Sequence, residues 1–531
     1  MTAAPAGWTR RLADFLQANA GTRPQAEALV TTGARLTHAA LWAEVQRTAR
    51  ALLALGLGRG DRIALLLPND VAFVTLFYAA AAIGAVTVPL NTRWKAPEIA
   101  FALRRAGCAA VFAVDRFLSQ DFRAHLLEAE PALATGLPGR ALPALRQAVF
   151  LAPEAPAGAL CWDDVRARDA GERALAAAMA AVRAEDDLLV QFTSGTTAHP
   201  KGVLLTHHNM LRNAAAAAIR LGIGPEDRYL NCRPFFHVAG STLSLLLCLV
   251  TGAALITPPT FEAGATLRLA EEEGCTALSG NDAIFQLLMA HPAFDPARLR
   301  LRKGWAAAGP QTMRRIITEM GVRGLCWAYG LSEASPNVAL SDYREPEELR
   351  IAGGALPHPG IAVRIAADGE IQVKGWSVMK GYIGDPEATA AAFTPDGWLR
   401  TGDLGRMDAA GRLHWTGRSK DVIRVGGENM APAEVEEVLS THPAVALAQV
   451  VGVPDARLGE VPVAFVQLRE GAAAAPEELL SWLQPKVAGF RLPRRLWIVP
   501  GFEAIGMTAS GKVQKGRLRD HALRLLEGGA G

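Results

Sequence analysis

From Gln191 to Val203 the chain reads QFTSGTTAHPKGV. Three threonines, one serine, two glycines and one lysine crowd behind the apolar run Leu188–Phe192. Glycine lets a backbone approach a ligand closely and adopt positive φ. Clustered backbone N–H groups form an anion-binding nest, and a lysine adds a point charge. Polyphosphate binding is the chemistry that wants this combination, and it singles out Thr193, Ser194, Gly195, Thr196, Thr197 and Lys201. The spacing is not that of the common P-loop, which needs Gly-x4-Gly-Lys-Ser/Thr opening a helix. Here Gly195 is followed by Pro200-Lys201-Gly202, so the lysine comes after a proline-fixed turn. A solvated turn of small residues would have the same composition.

Further motifs follow in order: Pro234–Ser241 (PFFHVAGS), Tyr329–Glu333 (YGLSE), Trp398–Gly405 (WLRTGDLG), Gly417–Glu436 (GRSKDVIRVGGENMAPAEVE) and Thr508–Lys512 (TASGK). Together with the 193–201 loop they resemble the adenylate-forming superfamily of acyl- and aryl-CoA synthetases, luciferases and peptide-synthetase adenylation domains. The matches run from about residue 190 to the C-terminus, and the first 180 residues carry weaker signals.

That resemblance implies ATP and coenzyme A as substrates and Mg²⁺ as cofactor. It implies that the 193–201 loop holds the β- and γ-phosphates, with Lys201 among them. Ala306–Pro310 (AAAGP), with Ala308 and Gly309, would border the adenine, and the ring of Tyr329, followed by Gly330, would lie against it. Ser332 would place its hydroxyl near the α-phosphate, and Glu333 would bind Mg²⁺, a cation that favours carboxylate and phosphate oxygens. Asp403, as an acceptor-only group, would take the ribose hydroxyls, and Arg418 would also contact the ribose. Lys512 would orient the attacking carboxylate and neutralise charge at the α-phosphate. Lys420 would be the hinge of a rotating small domain, and Gly427 would leave room for pantetheine in the second state. Phe235, Phe236 and His237 would border the acyl pocket, with His237 as a gate. Lys512, Lys201, Ser332 and His237 are thus the expected catalytic group.

Each residue also has a plain reading. Tyr329 and Glu333 could be core or surface, Asp403 and Arg418 an ordinary ion pair, Lys512 an exposed turn residue, and His237 a backbone-bonded core histidine. The chain departs from the family pattern at Ala198, where glycine is usual, near Ala307, where glycine is frequent, at Ser332, where threonine is usual, and at Gly506, where proline is frequent.

The elements that must position these residues show in the hydrophobic pattern. Helical periodicity at 41–56, 69–84 and 96–107 alternates with strand-like runs at 62–68 and 85–89. Such alternation predicts parallel sheet layered with helices. Residues 131–171, rich in Pro, Gly and Ala, read as a surface excursion. The apolar run Leu243–Ile256 reads as a buried helix followed by a strand. Residues 361–374 alternate around Asp368-Gly369 as a hairpin, and 408–416 look like a second one. Beyond about 418 come a helix at 432–440, strands near 445–452 and 461–468, a helix at 477–487 and a strand at 496–499.

The expected fold is α/β: a large N-terminal domain of layered sheets and helices with a β-rich subdomain, plus a small mobile α+β C-terminal domain. The divisions are 1–417 for the adenylation domain, 418–422 for the hinge and 423–531 for the lid.

Composition narrows the classes. With 55 basic and 52 acidic residues the net charge is +3, which makes no electrostatic case for nucleic acid or an anionic membrane. The six cysteines form no CxxC pair, so zinc spacing is absent, and they read as reduced thiols of a cytoplasmic protein. No apolar stretch is long enough to span a bilayer. The expected partners are a small carboxylic acid, ATP and CoA, with a homo-oligomer left open. The expected function is a carboxylic acid–CoA ligase acting through acyl-AMP. The expected acid is a medium- or longer-chain fatty acid or an aromatic acid. No aspartate occurs in 234–241 to anchor an amino acid's ammonium, and Gly330 stands where a tryptophan blocks the pocket in acetate-specific relatives, so the resemblance implies that glycine leaves space for a longer or ring-bearing acid. The alternatives are a free-standing adenylation protein that loads a carrier-protein thiol, and a non-catalytic nucleotide-binding protein.

Overall fold

Short runs rich in Val, Leu and Ala, each closed by a polar turn, form the strands, and the periodic segments between them form covering helices. The computed structural model describes residues 8–193, 200–508 and 511–528. The chain divides into two compact units, one of 1–260, 330–337 and 375–396, the other of 261–329, 338–374 and 397–531.

The first unit contains an eight-stranded sheet. Its order is Gly381–Tyr382, Gly202–Thr206, Asp187–Phe192, Val86–Pro89, Arg62–Leu66, Ala110–Ala113, Gln147–Phe150 and Leu160–Cys161. The strands from Asp187–Phe192 onward pair in parallel, and the first two are added antiparallel at the edge. Leu66, Val88, Val111, Phe150 and Val190 from this sheet pack with Ile99 and Leu103 of the helix Ala96–Ala106 in one apolar cluster. That helix ends where Gly107 adopts φ +59°, a left-handed cap suited to glycine.

Two sequence expectations change here. The 131–171 segment is not a surface excursion throughout, because Gln147–Phe150 is a nearly fully buried strand inside the sheet. Only three apolar residues mark it, between loops rich in proline and glycine, so periodicity alone could not find it. The run 243–256 is helix then strand, but Ser241–Leu246 is wound as a π-helix before Leu247–Thr251 becomes α. The same unit also holds a second group of strands, Arg228–Leu230, Ala254–Ile256, Glu27–Val30 and Arg35–Thr37, and a two-stranded hairpin of Arg116–Phe117 and Gln120–Asp121.

In the second unit Ala277–Asn281, Lys303–Ala307 and Gly324–Gly330 pair in parallel. Helices Asp282–Ala290 and Pro310–Thr318 follow the first two of these strands. A four-stranded sheet, Ile361–Ile365, Glu370–Gly375, Leu399–Met407 and Leu413–Arg418, contains both expected hairpins. A further sheet holds Glu428–Met430, Ile423–Val425, Gly459–Leu468, Val445–Asp455 and Leu496–Val499. Helix Pro432–Ser440 packs Val435 and Leu439 into the core of that last sheet.

Candidate active site

In the first unit, strands Asp187–Phe192 and Gly202–Thr206 are antiparallel, and Phe192 is in register with Gly202. This closes the base of the hydroxyl-rich loop. The Thr193 amide donates to the Lys201 carbonyl at 2.9 Å. Ser194, Gly195, Thr196 and Thr197 lie outside the described residues. Gly202 is required by packing, since a Cβ there would lie 2.7 Å from Ile383 Cγ2. That close fit lets Gly381–Tyr382 join the sheet edge with Val203 opposite Tyr382.

The pairing brings Lys201 and Glu333 to a common neighbour. Lys201 Nζ sits 4.9 Å from the Tyr382 ring centroid, a cation–π distance. Tyr382 Oη donates to Glu333 Oε1 at 2.9 Å. Burial, and then the charge of Glu333, raise the Tyr382 pKa, so the phenol remains a neutral donor. The Glu333 carbonyl also accepts the Met379 amide at 2.9 Å, which fixes the backbone under the carboxylate. Ser332 opens the short 3₁₀ turn Ser332–Ala334 beside Glu333.

Gly330 does not leave open space for an acyl chain. A Cβ at that position would lie 2.1 Å from the Pro336 carbonyl oxygen. The glycine is demanded by the tight return of 330–337, where Leu331 N donates to that same oxygen at 2.9 Å. Gly330 therefore does not open the space for an acyl chain that its sequence position implies.

His237 Nδ1 accepts the Ala239 amide at 3.2 Å, which caps the helical segment that begins at Val238. The same stretch is anchored by Phe235, whose amide donates to Asn69 Oδ1 at 2.8 Å and whose ring lies 5.2 Å from Phe73.

In the second unit a separate cluster forms around Asp403, which is only 3% exposed. Strand register places Arg418 directly opposite Asp403. Arg418 Nε lies 3.1 Å from Asp403 Oδ1, and Tyr329 Oη donates to Oδ2 at 2.9 Å. Oδ1 is buried without an aligned hydrogen bond, so it retains acceptor capacity. Burial and Asp403 raise the Tyr329 pKa strongly.

Lys512 belongs to the same cluster. Its backbone closes a turn on Thr508, with Thr508 N to Lys512 O at 2.8 Å and Lys512 N to Thr508 Oγ1 at 3.1 Å. The residue reaches solvent, yet enough protein surrounds its amine that desolvation, with help from Arg418, lowers its pKa to about 8. Asp403 and Asp421 act in the opposite direction. Lys420, in the 3₁₀ turn Ser419–Asp421, is likewise lowered by burial and by Arg418. Gly309 caps the helix Pro310–Thr318, and Ala308 before it is buried.

Gly426 and Gly427 form the two-residue turn between Ile423–Val425 and Glu428–Met430, with φ of +60° and +95°. Such turns favour glycine because both positions have positive φ. A Cβ on Gly427 would meet nothing within 4 Å, so local conformation is sufficient reason for the residue.

The structure thus groups Lys201 with Glu333, and separately groups Tyr329, Asp403, Arg418, Lys420 and Lys512. Sequence reasoning missed Tyr382 and Asp421. A lone tyrosine in KGYIGD and an aspartate in SKD carry no spacing signal, and only sheet pairing and the turn after Arg418 bring them in. Among the described residues no group of three or more His, Cys, Asp or Glu could hold a metal, and no helix is long and apolar enough to cross a membrane.

Helix-covered parallel strands and a small C-terminal sheet define an α/β fold with a small C-terminal domain. The chain belongs to the AMP-binding enzyme family: residues 16–383 match the AMP-binding enzyme and residues 434–512 its C-terminal domain. Within that family its relatives are AMP-forming acid–CoA ligases. It is 40% identical, over 94% of this chain and 96% of the relative, to a CoA ligase of Mycobacterium tuberculosis for a propanoyl group bearing a methyl-dioxo-octahydro-indenyl ring system. It is 33% identical, over 96% of this chain and 88% of the relative, to the mitochondrial medium-chain acyl-CoA ligase ACSF2 of Danio rerio. The crystal structure of the anthranilate CoA ligase AuaEII with anthranoyl-AMP shares the fold, with a TM-score of 0.84, 23% identity and coverage of 99% of this chain and 100% of that one.

Proposed function

We propose that the chain activates a carboxylic acid with ATP and then transfers the acyl group to CoA. In the first step a carboxylate oxygen attacks the α-phosphorus and pyrophosphate leaves. In the second the CoA thiol attacks the acyl carbon and AMP leaves. What supports this reading is the joining of Tyr329 and Arg418 to buried Asp403, with the charges of Arg418 and Asp403 both felt by Lys512.

Asp403, with acceptor capacity left on Oδ1, takes the ribose hydroxyls, and Arg418 lies beside it for the same sugar. Tyr329 lies along the adenine next to Gly330, Ala308 and Gly309. Lys512 offsets the charge that builds as the carboxylate meets the α-phosphate. Lys201 and the hydroxyls of 193–197 hold the outer phosphates, and the Ser332 hydroxyl serves the α-phosphate. Glu333, steered by Tyr382, fits Mg²⁺ as one carboxylate ligand completed by phosphate oxygens and water. An ion held there would supply positive charge to offset the charge of the leaving pyrophosphate. Residues 418–422, with Lys420, act as a hinge that moves 423–531 between the two steps, and Gly427 then faces the thiol arm.

The proposed acid is a medium- or longer-chain fatty acid or a ring-bearing acid. The medium-chain and ring-bearing acyl groups of the two relatives support it, as does the lack of an aspartate in 234–241. The test is incubation with ATP, Mg²⁺ and a panel of carboxylic acids, with and without CoA. Acid-dependent pyrophosphate release, followed by AMP and thioester when CoA is added, is the expected result. Acyl-AMP that waits for a carrier protein, or nucleotide binding without turnover of any acid, would overturn it.

A further inference from the structure

We propose that Glu437 is a positioning residue for the adenylation step, holding the small C-terminal sheet and its Lys512 turn in register by capping the helix after the 306–310 segment. This rests on the two-step reading above.

The helix Pro310–Thr318 starts from Gly309, which offers no side chain to satisfy its first-turn amides. Such amides are left over at every helix start and favour an acidic acceptor. Glu437, on the helix Pro432–Ser440, supplies it: its Oε1 accepts the Gln311 amide at 2.9 Å. Gly309 is what makes the approach possible. A Cβ there would be 3.2 Å from Glu437 Cδ and Oε1, so any larger residue would push the carboxylate away.

The direction of Glu437 is fixed from its own side. Its neighbour Glu436 accepts the Val450 amide at 2.7 Å and pairs with Lys515, whose ammonium also donates to the Val450 carbonyl at 2.9 Å. Helix 432–440 is therefore tied to the strand Val445–Asp455 and to the helix that begins at Lys515.

The receiving side is equally tied. Gln286 Nε2 bridges Asp282 Oδ1 at 3.1 Å and Thr312 Oγ1 at 3.2 Å, linking the helices Asp282–Ala290 and Pro310–Thr318. Ala283 packs with Leu447 and Val451 of the small sheet in one apolar cluster. The position of Gly511, next to Lys512, is set against the same wall: a Cβ on it would lie 3.3 Å from Ile284 Cγ1. The Glu437 cap and the Lys512 turn thus rest on two helices that Gln286 holds together. Glu437 itself meets no substrate, and weakening its cap loosens the seat of the lysine through these two helices.

The test uses the full chain with Glu437→Ala and the isosteric Glu437→Gln. Two half-reactions are measured: acid-dependent pyrophosphate exchange, and thioester formation from supplied acyl-AMP and CoA. Amide hydrogen exchange at Gln311 is followed in the resting protein. In Glu437→Ala, pyrophosphate exchange should fall about five- to tenfold and Gln311 exchange should rise by a similar factor, the size expected for losing one cap. Thioester formation should stay within about twofold. Glu437→Gln, which keeps an acceptor but no charge, should fall between. Equal loss in both half-reactions, or a protected Gln311 in Glu437→Ala, would overturn the proposal. If the unmodified protein catalyses no pyrophosphate exchange, the two-step reading fails with it, whereas an unchanged ratio of half-reactions in an active Glu437→Ala sinks the positioning role alone.

Discussion

Lys512 is worth most to the proposed chemistry as a cation, and its environment works against the charge. Desolvation and Arg418 bring its pKa down to about 8. The ammonium is then lost as pH rises through that value, so kcat/KM of pyrophosphate exchange should show an alkaline limb near it, because that ratio reports the free enzyme. Lys512→Arg should lower the rate but move the limb upward, since a guanidinium stays charged. A limb that remains in place in the arginine variant would assign it to another group. Tyr382 carries a second prediction. Tyr382→Phe keeps the ring beside Lys201 and removes only the hydrogen bond to Glu333. Apparent affinity for Mg²⁺ in pyrophosphate exchange should weaken about three- to tenfold, in line with loss of one orienting hydrogen bond. An unchanged Mg²⁺ dependence would separate Glu333 from the metal. Lys201, Asp403 and Lys512 stand out in the sequence because each lies in a short motif of unusual composition. Gly330 was misjudged, because a glycine that leaves room and one that avoids its own backbone look alike in sequence.

Several elements were readable to their ends, whereas the helix read at 477–487 is Pro476–Leu483. The helix read at 432–440 is Pro432–Ser440, and the strand read at 496–499 is Leu496–Val499. The strand Gln147–Phe150 escaped because it lies inside a stretch rich in proline, glycine and alanine, 131–171, that reads as loop throughout. The helix Asp282–Ala290 offers a prediction about stability. Burial, with added repulsion from Glu436 and Glu437, raises the Asp282 pKa from 3.8 to about 6, against hydrogen bonds from Thr312 and Gln286 that favour ionisation. Glu436 itself is paired with Lys515. The folded state therefore binds the proton more tightly than the unfolded chain. The ionised carboxylate costs stability above about pH 6, and the cost fades as pH falls through 6 toward 4. Asp282→Asn should accordingly raise the melting temperature at about pH 8 and give no gain at about pH 4. A gain independent of pH would show that the carboxyl titrates normally.

At the scale of the molecule, family matches at 16–383 and 434–512 cover most of the chain, and both contain residues that the motifs had marked. The α/β class followed from strand–helix alternation, since only helices covering parallel strands give that pattern. The acid was not legible in the same way. Specificity comes from the shape that side chains far apart in sequence give a cavity, whereas phosphate and ribose sites reuse a few short, chemically loaded segments. The central claim is that one molecule runs two reactions and that Lys512 serves only the first. Lys512→Ala tests it most directly, with pyrophosphate exchange and thioester formation from supplied acyl-AMP measured on the same preparation. The predicted result is a loss of about a hundredfold or more in exchange, the scale of removing one transition-state charge partner, with thioester formation kept within a few fold. Equal losses in the two half-reactions, or no loss in exchange, would contradict the account.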